Sequence, residues 1–460
     1  MRARAQPEIP PPRMAIFTTR TPRTGFAWGP GMLPRAVQSG RVESARAFGL
    51  VLLDSVGPLA TQDPDSPDPV RMAPAREHVV VMALAMSAFV LNLNANVMGA
   101  LLPFVRDELG FAGSDQARVV MAAGIGSAIG AFAVADFGRW WGRRTLLAVS
   151  LALFLVGSLL HPFAWDFWSL FVLRCVTGFA SGLAYATAST AVADLAPYQR
   201  RAAVMSRFNV GLFLAVPIGL PLAAWLAGRD SWRTTFVVQA GIATIALVLS
   251  HRCVPPLPKT PAVRRWPLLR NGGVLAVLLA TMLHVGSFFT VVQLATSWLD
   301  DAGIVAKEQQ LWIWVGLGLL SVVGSAVFGR FADRIGKRAF VLMTSAVLVV
   351  CFVLMSREPG PTVLLATACV LAVAAAARTG PLQALVSGLV PSEQLGALMG
   401  LRGFCMQAGV GAFAFGASAI TDALGFRGVL MLAAGCQFLS YLAIRLGVRT
   451  EPGTNNNLSG

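Results

Sequence analysis

Asn92, Asn94, Asn96, Arg174, Gln239, His284, Gln293, Arg378 and Gln407 each interrupt a long apolar stretch of this chain. An unpaired polar group in apolar surroundings costs roughly 2–7 kcal/mol, so each of these side chains needs a partner. Asn92 and Asn96 are four apart and would share one helical face. Amides and guanidinium groups in such positions can bind a polar or anionic solute, and His284 could titrate near neutral pH and carry a proton. A competing reading stays open for each. Asparagines can simply hydrogen-bond between helices at ~0.6–2 kcal/mol per contact. A lone histidine is more often a hydrogen-bonded core residue. An arginine that costs at least ~2.5–3.5 kcal/mol to embed can be met by backbone carbonyls as well as by solute. No carboxylate lies deep in any apolar run, since Asp136 and Asp194 both stand near run ends. Embedded arginine without embedded acid favours an anionic or polar neutral solute over a lipophilic cation, and leaves the coupling ion open.

Other chemistries lack their residues. Cys175, Cys253, Cys351, Cys369, Cys405 and Cys436 are isolated, with no CxxC or Cys/His cluster to hold a metal. No G-x-x-x-x-G-K-[ST] phosphate loop is present: Gly329 to Arg338 has the wrong spacing and no Ser or Thr after Lys337. Gly124, Gly126 and Gly130 do not match the dinucleotide fingerprint and read as a close-packing face. A polytopic membrane enzyme would need clustered His, Asp or Glu at a membrane face, and none is found. The formal charge of +15 comes in short bursts between apolar runs, unlike the basic stripe of a nucleic-acid binder.

The elements that must position these groups follow from composition. Of 460 residues, 55% are apolar and only 13% charged, and mean hydropathy is +0.65. Soluble domains carry roughly 25% charged residues, so much of this surface must face lipid. Helices are predicted near 79–104, 117–136, 144–163, 167–190, 203–226 and 232–251, then near 272–299, 309–330, 338–356, 361–388, 396–420 and 426–447. Each can cross a hydrocarbon core ~30 Å thick at about 1.5 Å per residue. The expected fold is an all-α integral membrane protein with twelve transmembrane helices in two pseudo-symmetric six-helix bundles, 77–251 and 272–447. A cytoplasmic linker, 252–271, joins them, and a tail, 448–460, follows. Residues 1–76 are rich in Pro and Arg and read as a disordered tail, or as a mis-started segment with translation beginning at Met72. Lys and Arg crowd the loops on one side, placing both termini in the cytoplasm of a chain spanning the cytoplasmic (inner) membrane.

The halves echo each other 194 residues apart. Gly142-Arg143-Arg144 matches Gly336-Lys337-Arg338, Pro197 matches Pro391, and Ala203 and Met205 match Ala397 and Met399. Duplication of this kind suits a transporter whose halves rock around a midplane site. Between predicted helices 8 and 9 runs Gly329-Arg330-Phe331-Ala332-Asp333-Arg334-Ile335-Gly336-Lys337-Arg338. A glycine turn joins two helices, a carboxylate can cap a neighbouring helix N-terminus, and the cations stay at the interface. This run resembles the G-x-x-x-D-R-x-G-R/K-R signature of the major facilitator superfamily. The first half departs from it: in Ala135 to Arg144, Arg139 occupies the usual Asp position and Asp136 lies about one turn earlier. Arg174-Cys175-Val176-Thr177-Gly178 is similar to the superfamily's R-x-x-x-G pattern in helix 4. Ser231-Trp232-Arg233-Thr234-Thr235-Phe236 resembles the W-R-x-x-F start of helix 6, common in its drug and metabolite efflux branches, which include proton antiporters. The antiporter motif of helix 5 is degenerate here, from Gly211 to Pro221.

The resemblance implies a secondary active transporter, not an enzyme, that moves a small solute by alternating access. Efflux is the leading direction and metabolite uptake the alternative. It also implies that helices 1, 4, 7 and 10 line the cavity. That selects Asn92, Asn94, Asn96, Arg174, His284, Gln293 and Arg378 as substrate-binding or coupling residues. Asp136, Arg139, Gly142 and Arg143, with Gly329, Asp333, Arg334, Gly336, Lys337 and Arg338, become gating loops. The expected partners are a small-molecule substrate, bilayer lipid and protons as a candidate coupling ion. No cofactor, metal or nucleic acid is expected, and the chain is expected to act as a monomer.

Overall fold

The computed structural model describes residues 74–110, 113–256, 265–303 and 307–448. The expectations for 1–73, 257–264 and 449–460 lie outside those residues. Among the described residues, twelve helices are long and apolar enough to cross a membrane. The first bundle holds α1 (Pro74–Leu109), α2 (Gly113–Gly138), α3 (Arg143–Leu160), α4 (Phe167–Leu195), α5 (Arg201–Leu214, continued by Ala215–Gly219 and Leu220–Arg229) and α6 (Trp232–Cys253). After a short linker helix, Arg265–Leu269, come α7 (Gly272–Ala302), α8 (Lys307–Ile335), α9 (Lys337–Met355) and α10 (Pro361–Ser387). The spans α11 (Ser392–Ala417) and α12 (Ala423–Gly447) are separated by a break at Gly425, whose φ of 63° leaves the helical region. Several helices overrun the predicted apolar runs. Residues 74–76, assigned to the tail, open α1, because a helix can continue past the hydrocarbon zone that hydropathy detects.

Local chemistry sets the helix ends. Asp166 accepts from the Ser169 N–H at 2.7 Å while the Ser169 hydroxyl accepts from the Asp166 N–H at 3.1 Å, a capping box that starts α4. Ser231 caps α6. Next to it, Trp232 Nε1 donates to Glu108 at 2.5 Å, and Arg233 pairs with the same carboxylate. Arg233 also donates to the carbonyls of Pro162 (2.8 Å) and Ala164 (3.1 Å), and Phe236 stacks on His161 at 4.2 Å. The W-R-x-x-F residues thus pin the same ends of α1, α3 and α6 together. The Arg233 hydrogen bond, before any other influence, holds the Glu108 carboxyl below its ordinary range.

Inside the first bundle α2 and α4 lie backbone to backbone. A Cβ at Gly126 would strike the Cys175 carbonyl and one at Gly178 the Ala123 carbonyl, so only glycine permits this approach. On the outer faces Ile129, Val156, Val323, Val350 and Phe415 are exposed, as lipid contact allows.

Helix α5 bulges. Residues Ala215–Gly219 form a π-helical turn around Pro217. Pro217 bears no N–H, so the ladder of backbone hydrogen bonds is interrupted there, just past the Leu212 carbonyl. Asn92 Nδ2 on α1 donates to that carbonyl at 2.7 Å. Asn96 Nδ2 in turn donates to the Asn92 carbonyl at 2.8 Å.

Candidate functional site

The polar residues picked out in the sequence fall into two separate groups. In the first bundle Arg174 on α4 is fully buried and donates through Nη1 to both the carbonyl and the Oδ1 of Asn94 on α1, each at 3.0 Å. Gln239 on α6 donates to Asn94 Oδ1 at 3.4 Å and to Ser158 on α3 at 3.1 Å. Asn94 therefore points into its own bundle, away from Asn92 and Asn96, which lean toward α5. In the second bundle Arg378 on α10, also fully buried, donates to Ser345 on α9 (3.1 Å) and Ser440 on α12 (2.8 Å). His284 on α7 meets the amide of Gln437 on α12 at 3.1 Å, and Gln437 also donates to Ser287 at 2.8 Å. The same quartet of helices in each repeat, α1/α3/α4/α6 and α7/α9/α10/α12, thus surrounds one buried arginine. Gln293 is exposed and joins neither group.

Between the bundles lies a seam that the sequence reading passed over. Asn209 Nδ2 on α5 donates to Gln383 Oε1 on α10 at 2.6 Å. Gln383 Nε2 donates to the Tyr185 hydroxyl on α4 at 3.1 Å, and that hydroxyl donates back to Asn209 Oδ1 at 3.3 Å. Every member both gives and receives, so the ring closes on itself. Arg402 on α11, only 3% exposed, hydrogen-bonds Tyr185 from the side. Further along, Ser325 Oγ on α8 donates to the Ser206 carbonyl on α5 at 2.8 Å. Gly329 and Gly380 both press against Ser206, where a Cβ would collide. For Asn209, Gln383 and Arg402 the signal available in the sequence was the one that found Arg378: a polar side chain within an apolar run.

The seam ends at the basic loops. Asp333 Oδ1 and Oδ2 accept from the N–H groups of Ala202 (3.1 Å) and Ala203 (2.8 Å), capping the α5 N-terminus of the opposite bundle. Lys337 pairs with Asp333 at 3.0 Å and sits over the Tyr198 ring at 4.2 Å. Gly336, with φ 102°, makes the turn between α8 and α9 that a residue with a Cβ would strain. Arg338 donates to the Arg445 carbonyl at 2.9 Å, at the end of α12, and Arg334 is exposed. In the first repeat Gly142 caps α3, and Arg143 pairs with Asp194 and donates to the Ser392 carbonyl at 3.2 Å. Arg139 lies exposed over the Trp140 ring at 4.9 Å. Asp136 binds Arg265 of the linker helix at 2.5 Å instead of the α11 N-terminus. Arg201 Nη1 adds a bridge to Ser387 at 3.1 Å.

Two cavities lie off the seam. One of about 620 Å³ is lined by Met343, Val350 and Val370 between α9 and α10. One of about 640 Å³ is lined by Phe132, Arg265, Trp266 and Leu401 beside the linker helix. Among the described residues no cluster of His, Cys, Asp or Glu could hold a metal ion.

Two six-helix bundles joined along a polar seam, with matching loops at one end, define a multi-pass membrane protein of transporter architecture. The chain belongs to the Major Facilitator Superfamily, whose sequence profile matches residues 84–306 and 277–460. It is 26% identical to an uncharacterized MFS-type transporter, YtbD, of Bacillus subtilis, over 75% of this chain and 89% of that one. It is 26% identical to a probable sugar efflux transporter of Helicobacter pylori, over 59% of this chain and 70% of the other. It is 25% identical to the inner membrane transport protein YdhP of Escherichia coli, over 81% and 97%. Among solved structures, the human organic anion transporter MFSD10 aligns with TM-score 0.67 at 18% identity, covering 81% of this chain and 100% of that one. The proton:xylose symporter XylE, bound to 6-bromo-6-deoxy-D-glucose, aligns with TM-score 0.69 at 15% identity, covering 80% and 95%. At such identity these likenesses concern the fold.

Proposed function

We propose that this chain is a secondary active transporter that exports a small polar solute across the cytoplasmic membrane by alternating access, with its basic loops in the cytoplasm. The observation that carries this reading is the seam: Tyr185, Asn209, Gln383 and Arg402 join the bundles through hydrogen bonds that can be remade with a solute or water when the bundles part. Hydrogen-bonded polar contacts between rigid bundles are what a rocking mechanism needs, since each is worth only about 0.5–1.5 kcal/mol net and can be exchanged. Direction rests on the relatives: export on the Helicobacter protein named as a sugar efflux transporter. The fold shared with a proton:xylose symporter supports uptake as the second reading. The coupling residue is open, because the described carboxylates stand at helix ends.

The test uses the seam itself. Arg201→Cys and Ser387→Cys, facing each other across the bundles, are joined through disulfides to a bifunctional methanethiosulfonate spanning the space of the arginine side chain, in everted vesicles supplied with labelled pentoses, hexoses and organic acids. Accumulation by the unlinked protein, lost on cross-linking and recovered with reductant, is the expected result. Accumulation that persists with the cross-link fully formed would rule out rocking about this seam.

A further inference from the structure

Arg402 on α11, Arg378 on α10 and His284 on α7 all lie inside the second bundle. Each is at most 5% exposed. Their hydrogen-bonding partners are neutral: hydroxyls of Ser345 and Ser440 for Arg378, the amide of Gln437 for His284, and the Tyr185 hydroxyl for Arg402. No described carboxylate pairs with any of them. Two guanidinium nitrogens, Nε of Arg402 and Nη1 of Arg378, are buried without a hydrogen-bond partner. A buried cation with no anion opposite it is expensive. Such an arrangement persists where something from outside supplies the missing charge.

Arg174 presents a different case. Like Arg378, it keeps unpartnered nitrogens but is sealed among helices of one bundle, where a moving solute has no route. Arg402 stands on the seam, and its described partner, Tyr185, belongs to the opposite bundle. When the bundles separate there, Arg402 loses that hydroxyl and is uncovered on the solute path.

We propose that Arg402 binds an anionic group of the transported solute, so that the substrate class is a small organic anion carrying a carboxylate. This rests on the transporter reading above and narrows it. The anion enters as the Tyr185 contact opens, neutralises the Arg402 guanidinium, and lets it travel through the exchange of access without an uncompensated charge. Solute binding and bundle movement are then linked through one residue.

The experiment compares sodium gluconate, lactate and benzoate with glucose, at matched ionic strength, on the full chain purified in detergent. At least one carboxylate is expected to raise the unfolding midpoint saturably while glucose does not, since a ligand stabilises the state it binds. Arg402→Gln should weaken that binding about 10- to 100-fold, the loss expected for one charge-assisted hydrogen bond. Arg402→Lys keeps the charge but not the fork, and should recover part of the affinity. Arg229→Gln, beside Trp225 at the far end of α5, should bind like wild type. If Arg402→Gln does not fold, Arg402→Lys carries the test. The proposal is overturned if none of the three anions binds, if glucose stabilises equally, or if the folded variants bind undiminished. Failure here together with a working cross-link block at 201–387 would sink the anion site and leave the transporter standing.

Discussion

Arg143 and Lys337 hold the same place in the two repeats, 194 residues apart, yet take their carboxylates from different elements. Arg143 pairs with Asp194 at the end of α4, whereas Lys337 pairs with Asp333 one turn back along its own segment. The repeat mate of Asp194 is Gly388, and that of Asp333 is Arg139. Each half has therefore kept one of two carboxylates and lost the other. Only the second half caps the opposing bundle with a carboxylate on its helix N–H groups; the first reaches α11 through one hydrogen bond from Arg143 to the Ser392 carbonyl. Closure at the basic end is accordingly lopsided, strong at α5 and weak at α11.

Asp333→Asn should loosen that end. The amide can still accept one hydrogen bond but no longer complements the α5 dipole or Lys337, a loss of about 1–2 kcal/mol and hence ~5- to 30-fold in the closed population. Labelling of Ser387→Cys by an impermeant maleimide in everted vesicles should speed up by that factor. Equal rates in the two backgrounds would show that Asp333 does not hold the seam shut.

Arg139→Asp should act in the opposite sense. It places a carboxylate where the first repeat lacks one, within the loop that already reaches Ser392 through Arg143. A second cap would slow the same maleimide reaction and lower transport, because opening must now break two charged contacts. Faster labelling would contradict the lopsided-latch account.

How much of this could be read in advance varies by level. Helix α9 was placed to within a residue, because Gly336 and Gly360 bracket a uniformly apolar run. The ends of α1 and α8 were missed, since residues such as Glu77 and Lys307 continue a helix beyond the zone that hydropathy senses. The buried arginines were visible as charges in apolar runs, but their orientation was not. In a lipid-embedded helix like α4 or α10 nearly every face is apolar, so no amphipathic stripe says which side meets a neighbour. Asn94 and Asn96 illustrate the difficulty: two positions apart, one turns to Arg174 and the other to Asn92. Tyr185 carried no signal in the sequence, for a lone tyrosine in an alanine-rich helix reads as packing.

Asn94→Leu is expected to test the interior role of Arg174. Removing the Oδ1 acceptor leaves a fully buried guanidinium with one fewer partner, at a cost of ~1.5–3 kcal/mol. The unfolding midpoint in detergent should fall while binding of a carboxylate solute at Arg402 stays intact. A selective loss of binding at unchanged stability would put Asn94 on the solute path after all.

The far end of the first bundle should be acid-sensitive. Glu108 is held below its ordinary 4.5 in the folded state, chiefly by the hydrogen bond from Arg233. Its stabilisation is therefore complete above about pH 4.5 and is lost as pH falls through the depressed folded value. The carboxylate is 45% exposed, so less than about 1 kcal/mol is at stake. Asp166, held low by the Ser169 hydroxyl, titrates in the same direction, so Glu108→Gln should flatten the acid limb of the stability profile only in part. An unchanged profile would mean that the Glu108–Arg233 pair contributes nothing.

Asn92 and Pro217 should show coupled energetics. Asn92→Ala removes the donor that the Leu212 carbonyl has at the start of the bulge Pro217 imposes on α5. A buried carbonyl left unpaired costs about 1–3 kcal/mol, which would appear as a lower unfolding midpoint. Pro217→Ala lets α5 relax to ordinary helix, in which the Leu212 carbonyl takes the Val216 N–H. In that background the Leu212 carbonyl no longer depends on α1, so Asn92→Ala should become nearly neutral. The double-mutant cycle would then give a coupling of at least about 1 kcal/mol. Additive effects would show that Asn92 does not compensate the proline, and that its amide is free to serve the solute instead.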